Sequence, residues 1–202
     1  IKTFHEAALD NARLKLYTQS PIENYGQDCV RIVRDNPRLE VHQGTIDDIF
    51  VAYREADMLL WPSKREGLGL PILEALCCGL PVLISDGYMM KQWPIAGVHA
   101  ALCPAKPSAT PEKVPRYLPE LEIEPQDLLN LLRALASDPE RISRMKSSVL
   151  EDRPAWLWSW QREVFREQLR LLIEEPGYQP AADLSYLPEG ILEFEKRRLS
   201  GE

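Results

Sequence analysis

Short apolar segments alternate with helical segments along the first half of the chain. Apolar and polar residues alternate over 14–18, which predicts a strand, and a second short strand is predicted at 39–42. The runs 58–61 and 81–84 contain no polar interruption, which is typical of strands buried on both faces of a sheet. Residues 100–102 predict one further short strand.

Helical spacing fills the intervals between these strands. The predicted helices lie at 1–10, 22–34, 45–56 and 71–78, with acidic residues at 45–48 as the start of the third. Strands that alternate with helices predict an α/β fold with a Rossmann-like parallel sheet and helices on both faces. Ligands of such sheets bind beyond the carboxyl ends of the strands, so the loops after Thr18, His42, Trp61 and Ile84 are the ones to examine.

The second half of the chain has a different pattern. Five prolines within 103–123 predict an irregular surface excursion. Helices are predicted at 126–137, 139–150 and 154–174. We therefore expect 1–150 to form the Rossmann-like domain, 151–175 to form a C-terminal helix, and 176–202 to form a tail of unknown structure.

Composition narrows the classes of partner. The net charge of −7 argues against a broad nucleic-acid face, because phosphate backbones are held by clustered Lys and Arg. No apolar run approaches the roughly 20 residues that span a bilayer. The four cysteines show no metal-binding spacing, which suits free thiols in a reducing compartment, and we expect the cytoplasm.

The most informative segment is the loop that follows the third predicted strand. Gly67 and Gly69 allow the backbone to approach a ligand closely. The helix predicted from Pro71 directs N–H groups and a positive dipole end at this loop, which favours a phosphate or diphosphate. Lys64 and Arg65 add positive charge nearby.

Two carboxylates complete this segment, Glu66 in the loop and Glu74 in the predicted first turn of the helix. A carboxylate can accept two hydrogen bonds side by side, and a vicinal diol of a ribose or hexose offers two donors. A diphosphate site between two diol-binding carboxylates is what a nucleotide sugar requires.

The same segment resembles a known family. Glu66 and Glu74 stand at the ends of E-G-L-G-L-P-I-L-E, preceded by A-D-M-L-L-W-P-S and followed by G-L-P-V. This arrangement resembles the E-x7-E motif of the retaining glycosyltransferases of GT-B fold, which include glycosyltransferase family 4 and the glycogen-synthase-like enzymes (group 1). The resemblance implies a donor-binding domain, within 1–150, of a hexosyltransferase-like enzyme that uses a nucleotide-diphosphate sugar and an unknown acceptor.

The resemblance also implies roles for individual residues. Glu66 would be the catalytic residue, close to the anomeric centre of the donor sugar, and Glu74 would hold the ribose hydroxyls. Other residues would bind the substrate through the loops that they form: Gly67, Leu68, Gly69 and Leu70 at the sugar and diphosphate, and Gly44, Thr45 and Ile46 beside the base. These enzymes need no bound metal or other cofactor, and the chain has no D-x-D triplet that would hold a cation on a diphosphate.

Parts of the family's pattern are expected outside this sequence. The first strand of the domain, with an Arg and a Lys that neutralise the leaving diphosphate, would lie upstream of Ile1. The partner would be an N-terminal GT-B domain that carries the acceptor site and could associate peripherally with a membrane. The chain alone is therefore expected to be inactive. Residues 151–175 would be the helix that crosses back to that domain, with exposed tryptophans in the isolated chain.

Less specific interpretations stay open beside this one. Glu74 taken alone could simply interact with the helix dipole, and Asp47 and Asp48 could mark a helix start. The three histidines could have structural roles only. The 154–174 helix could pack in a core or between domains; membrane insertion is disfavoured by its charged residues. As alternatives to transfer, the site suits a sugar-nucleotide epimerase of the same fold or a non-catalytic module that binds nucleotide sugars.

Overall fold

The computed structural model describes residues 1–108, 120–174 and Arg197. Within these residues the strands are β1 (Leu14–Thr18), β2 (Leu39–Gln43), β3 (Leu59–Trp61), β4 (Val82–Ser85), β5 (Ala100–Cys103), β6 (Ala105–Pro107) and β7 (Leu121–Ile123). The α-helices are α1 (Lys2–Ala7), α2 (Gln27–Asp35), α3 (Phe50–Arg54), α4 (Leu70–Cys77), α5 (Pro125–Ser137), α6 (Pro139–Asp152) and α7 (Trp158–Glu174). Short 3₁₀ helices lie at Ile22–Tyr25, Met89–Gln92 and Arg153–Trp156.

The first five strands pair only in parallel, as the sequence predicts. β1 pairs with β2, and β4 lies between β3 and β5, with Leu83 opposite Leu60 on one side and Ala101 on the other. Parallel neighbours need a crossover connection, and the helices between the strands supply it. The α/β fold with parallel sheets is therefore confirmed.

The central strand β4 explains how the core is divided. Its four residues are all buried, and successive side chains point to opposite faces of the sheet. Val82 and Ile84 pack on one face in a cluster with α4, whereas Leu83 packs on the other face with α5. Helices therefore cover both faces of this sheet, as predicted.

The parallel strands form two separate sheets. Among the described residues, β1 and β3 are each paired on one side only, and no ladder joins them. All residues of both strands are half-buried, so the expectation that the 58–61 segment is buried on both faces is wrong for β3. The physical reason is that β3 is an edge strand. Helix α1 contacts α2 on the side of the two-stranded sheet and α5 on the side of the three-stranded sheet.

The excursion expected over 103–123 is ordered at both ends. β6 and β7 form an antiparallel ladder in which Lys106 lies opposite Glu122. The prediction of an irregular segment is wrong there, because the partners of each short strand are distant in sequence and local proline content does not reveal them. Residues 109–119, which carry Pro111, Pro115 and Pro119, lie outside the described residues.

Several helix boundaries also differ from the predicted ones. α3 begins at Phe50 rather than at Thr45, and the Asp48 carboxylate accepts a hydrogen bond from the Phe50 N–H at 3.0 Å. The predicted 22–34 helix is divided into a 3₁₀ turn and α2, with Gly26 at a φ of 94° between them. Capping and a left-handed glycine thus override the apolar periodicity.

The C-terminal helix is only partly exposed. Trp158 is 73% exposed, as predicted for an isolated chain. Trp156 is 4% exposed, so the same prediction is wrong for it, because the 3₁₀ helix before α7 packs this side chain into the core. The Trp160 side chain and residues 176–202, except Arg197, lie outside the residues that the structure describes. The predicted domain boundaries after residues 150 and 175 stay predictions. No helix of the described chain has the length and apolar character needed to cross a membrane.

Candidate functional site

The predicted site loop leaves β3 at its carboxyl end and leads directly into α4. Gly69 caps the helix in the left-handed region, with φ 63° and ψ 40°, a conformation that glycine adopts without a steric penalty. The helix begins at Leu70, one residue before the predicted start at Pro71, and Pro71 lies in its first turn. The loop therefore lies where ligands of parallel sheets bind.

The backbone of this loop presents unpaired donors. Within the described chain, none of the four N–H groups of residues 67–70 donates a hydrogen bond. Gly67, Leu68 and Leu70 are exposed, whereas Gly69 is buried against the segment that carries Gln92 and Trp93. Successive free N–H groups at the N-terminus of a helix are a favourable environment for an anion.

Glu66 is held by the aromatic residue that ends β3, a contact that no sequence pattern predicts. The Trp61 indole Nε1–H donates to Glu66 Oε1 at 2.6 Å. Among the described residues the second oxygen of this carboxylate accepts no hydrogen bond. Trp61 ends β3, so the strand fixes the orientation of Glu66 and leaves one oxygen for a ligand.

Glu74 has a matching partner. The Tyr53 hydroxyl on α3 donates to Glu74 Oε2 at 2.8 Å. Burial, together with this hydrogen bond, raises the pKa of Tyr53, so its hydroxyl remains a donor at neutral pH. Because α4 begins at Leu70, Glu74 lies beyond the first turn, and its expected place in that turn is wrong. The helix-dipole interpretation of Glu74 weakens accordingly.

Two further side chains hold the loop from outside the motif. Gln92 Nε2 and Trp93 Nε1 both donate to the Leu68 carbonyl, the latter at 2.6 Å. These residues lie at and just beyond the end of the 3₁₀ helix Met89–Gln92. No periodicity or motif in the sequence indicates such a contact, because it joins segments 24 and 25 residues apart.

The β6–β7 ladder holds the beginning of the loop. The Leu121 N–H donates to the Lys64 carbonyl at 2.8 Å, and Lys64 Nζ lies 3.5 Å from the buried Glu120 carboxylate. The positive charge expected from Lys64 is therefore paired with a carboxylate of the same chain. Ser85, at the end of β4, donates to the Ser63 carbonyl at 2.6 Å.

The other predicted part of the site follows β2. Gly44 has a φ of 99°, and its N–H donates to the Thr18 carbonyl at 2.9 Å. Gly44 and Thr45 are exposed and Ile46 is half-buried. This segment belongs to the two-stranded sheet, so the two predicted parts of the site follow strands of separate sheets.

The histidines fall into two different environments. His42 Nε2 lies 2.7 Å from Glu40 Oε1, and its ring stacks on Tyr17 with centroids 4.6 Å apart. His99 is fully buried, and its Nδ1 accepts a hydrogen bond from the Ile95 N–H at 3.1 Å. In the described ranges, no group of three or more His, Cys, Asp or Glu side chains is arranged to hold a metal ion.

A parallel α/β fold with a glycine loop between two carboxylates is consistent with the Rossmann-like GT-B fold of glycosyltransferases. The family model described as "Glycosyl transferases group 1" matches residues 37–146, just over half of the chain. The chain belongs to this family. The matched residues include the Gly44–Ile46 segment, the loop and both glutamates.

Two curated proteins and one solved structure are similar to parts of the chain. The O-antigen chain mannosyltransferase B of Escherichia coli is 48% identical over 40 residues, which cover 20% of this chain and 10% of that protein. The D-inositol 3-phosphate glycosyltransferase 1 of Catenulispora acidiphila is 26% identical over 107 residues, 53% of this chain and 22% of that protein.

The structural match supports the fold alone. The crystal structure of WaaG, a glycosyltransferase involved in lipopolysaccharide biosynthesis, aligns with a TM-score of 0.54 at 19% identity. The alignment covers 73% of this chain and 36% of WaaG. The chain therefore spans about a third or less of each of these three proteins.

Proposed function

We propose that the chain carries the donor site of a retaining glycosyltransferase, which transfers a sugar from a nucleotide-diphosphate sugar to an acceptor. One observation supports this most: four unpaired backbone N–H groups lie between two carboxylates, each oriented by an aromatic donor on one oxygen. N–H groups that can bind an anion, flanked by two carboxylates that can accept hydrogen bonds from diols, match a diphosphate that joins a sugar to a nucleoside. Membership of the family is consistent with this assignment.

Each residue then has a distinct role. The N–H groups of Gly67, Leu68, Gly69 and Leu70 bind the diphosphate and the adjoining sugar. Glu74 accepts hydrogen bonds from the ribose hydroxyls through the oxygen that Tyr53 does not occupy. Glu66 accepts from the donor sugar, and residues 44–46 border the base.

The reaction proceeds by departure of the nucleoside diphosphate through a transition state with positive charge on the sugar. The N–H groups of the loop and the N-terminus of α4 stabilise the negative charge that grows on the leaving group. The Glu66 carboxylate faces the positive charge on the sugar. Hydrogen bonds from Trp61, Tyr53 and Trp93 already orient the two carboxylates and the Leu68 carbonyl, which reduces the reorganisation that the reaction requires.

The remaining parts of the catalytic unit come from outside this chain. We propose that one more parallel strand lies between β1 and β3. Each of these strands is paired on one side only among the described residues, and a strand between them would complete the six-stranded Rossmann order. An N-terminal GT-B domain supplies the acceptor site, and the reaction takes place in the cytoplasm. The chain alone is then expected to catalyse no sustained transfer with a panel of nucleotide sugars and acceptors.

The test is calorimetry of the whole protein with UDP, GDP and ADP, followed by analysis of products. We expect one of these nucleotides to bind, and transfer with retained anomeric configuration. Inverted configuration would refute the retaining mechanism. An epimerised nucleotide sugar without acceptor would favour the epimerase, and binding without any turnover would favour a non-catalytic module. Absence of nucleotide binding would refute the proposed site.

A further inference from the structure

The peptide between Leu68 and Gly69 is held by two side-chain hydrogen bonds. The Leu68 carbonyl accepts from two side chains, Gln92 and Trp93. Because the peptide unit is planar, the Leu68 C=O and the Gly69 N–H point in opposite directions. Side chains that fix the carbonyl therefore also fix the direction of the Gly69 N–H, one of the unpaired donors of the loop.

Trp93 is held in turn by Trp156. The Trp156 indole Nε1–H donates to the Trp93 carbonyl at 3.1 Å. Trp156 lies in the 3₁₀ helix Arg153–Trp156, which joins α6 to α7. Its own carbonyl accepts from the thiol of Cys77, the last residue of α4, at 3.5 Å. One residue of this junction thus contacts the C-terminal end of α4 and, through Trp93, the loop at its N-terminal end.

The position of Trp156 is fixed by a buried polar cluster. The His99 and Trp156 rings meet edge to face, with centroids 5.1 Å apart and an interplanar angle of 86°. His99 Nε2 lies 2.9 Å from Asp152 Oδ2 on the last turn of α6. Asp152 also pairs with Arg197 at 2.6 Å. Ring packing and the contacts of the buried Asp152 carboxylate therefore fix the position of the α6–α7 junction.

We propose that Trp156, through Trp93, is a positioning residue that couples the α6–α7 junction to the Leu68–Gly69 peptide and thereby to the donor diphosphate. The identity of the ligand, a donor diphosphate, rests on the proposed function. The contacts between Trp156, Trp93 and Leu68 do not depend on it. Two consecutive hydrogen bonds, Trp156 to Trp93 and Trp93 to Leu68, connect the junction to the loop. A change at the junction is transmitted to the donor site along this path.

The test uses Trp156→Phe in the whole protein, which keeps an aromatic ring beside His99 and removes the indole donor. Trp158→Phe is the matched control, because it makes the same change two residues away on an exposed side chain. Affinity for the nucleoside diphosphate is expected to fall about threefold to tenfold in Trp156→Phe, the scale of one net hydrogen bond, and to stay within twofold in the control. Wild-type affinity in Trp156→Phe would overturn the coupling.

A second variant tests whether the two tryptophans act in series. Trp93→Phe removes the donor to Leu68 from a half-buried side chain, and we expect a loss of affinity at least as large. The double variant should be no weaker than Trp93→Phe alone, because both changes interrupt one path. Fully additive losses would mean that the two residues act independently, which contradicts the proposal.

Nuclear magnetic resonance of the ¹⁵N-labelled indoles separates this inference from the proposed function. We expect the Trp93 indole signal to shift and exchange faster in Trp156→Phe, and to be unchanged in Trp158→Phe, without any ligand. An unchanged Trp93 signal in Trp156→Phe would overturn the coupling. A changed signal in a protein that binds no nucleoside diphosphate would support the coupling and refute the proposed donor site.

Discussion

The loop of residues 62–70 and the segment of residues 44–46 follow parallel strands at their carboxyl ends, but their surroundings differ greatly. Strand β3, the 3₁₀ helix Met89–Gln92 with Trp93, and β7 all contribute hydrogen bonds to the loop. The 44–46 segment is mostly exposed, and its Gly44 N–H is bonded to the neighbouring strand.

The difference corresponds to what each part is proposed to do. Groups that stabilise a transition state are effective when they are already oriented, because no reorganisation is then needed during the reaction. A loop beside a base needs only to provide a surface. We therefore expect changes in the 62–70 loop and its supports to affect turnover and affinity strongly, and changes in the 44–46 segment to have smaller effects on affinity.

The largest expected effect is that of Glu66→Gln, which keeps the size of the side chain and removes its charge. In the whole protein we expect the turnover number to fall by on the order of 10², the scale of one preorganised electrostatic group. Affinity for the nucleoside diphosphate should change little, because Glu66 faces the sugar. Steady-state kinetics and calorimetry measure the two, with the exposed Glu55→Gln as control. Intact turnover with lost nucleotide affinity would mean that the roles of the two glutamates are exchanged.

Glu74→Ala should weaken nucleotide binding by roughly 1.5–3 kcal/mol, the scale of hydrogen bonds to a charged group. The matched control is Glu140→Ala, in the first turn of α6, where the side chain is 90% exposed. That change should cost only about 0.3–1 kcal/mol of unfolding free energy through the helix dipole. Calorimetry and thermal melting give both numbers. A large fall in melting temperature with unchanged affinity would assign Glu74 a structural role.

Asp152→Asn tests the cluster of His99, Asp152 and Arg197, in which His99 packs against Trp156. Burial alone would raise the pKa of Asp152, but hydrogen bonds from His99 and Arg197 outweigh it and hold the pKa below its ordinary value. The charged form therefore stabilises the fold above the unfolded pKa of about 3.9, and this stabilisation is lost as pH falls through the folded value. At pH 7 we expect the variant to lose roughly 1–3 kcal/mol of unfolding free energy.

The pH dependence gives the check on this prediction. Denaturant unfolding at pH 7 and near pH 3 should show a smaller difference between the wild type and Asp152→Asn at the acidic pH. Glu55→Gln, on an exposed ion pair with Lys15, should show no measurable difference at either pH. If the difference in unfolding free energy between the wild type and Asp152→Asn were the same at both pH values, the charge of Asp152 would not contribute to stability.

The smallest expected effect comes from a pair of glycine variants, Gly69→Ala and Gly44→Ala. Both glycines have positive φ, so each change should cost on the order of 1 kcal/mol of stability through backbone strain. A Cβ at Gly69 would lie 3.4 Å from the Ile72 side chain, whereas nothing lies within 4 Å of one at Gly44. Gly69→Ala should lower nucleotide affinity more than Gly44→Ala does. A larger loss of affinity in Gly44→Ala would reverse the contrast between the two segments.

Much of the fold was predictable because it depends on local patterns. The buried run ending at Ile84 predicts β4, and the motif from Glu66 to Glu74 predicts a glycine loop followed by a helix, as the structure has them. Family membership could also be inferred from those residues. The catalytic and binding roles assigned to them stay predictions until the variants are measured.

Tertiary structure alone decided what holds the site together. Hydrogen bonds to the glutamates and the Leu68 carbonyl come from Tyr53, Trp61, Gln92 and Trp93, and no pattern in the sequence predicts these bonds. The β6–β7 ladder and the burial of Trp156 were likewise mispredicted. The physical reason is that helix and strand periodicity arises from neighbours along the chain. A hydrogen bond across 25 or 63 residues exists only after the chain has folded.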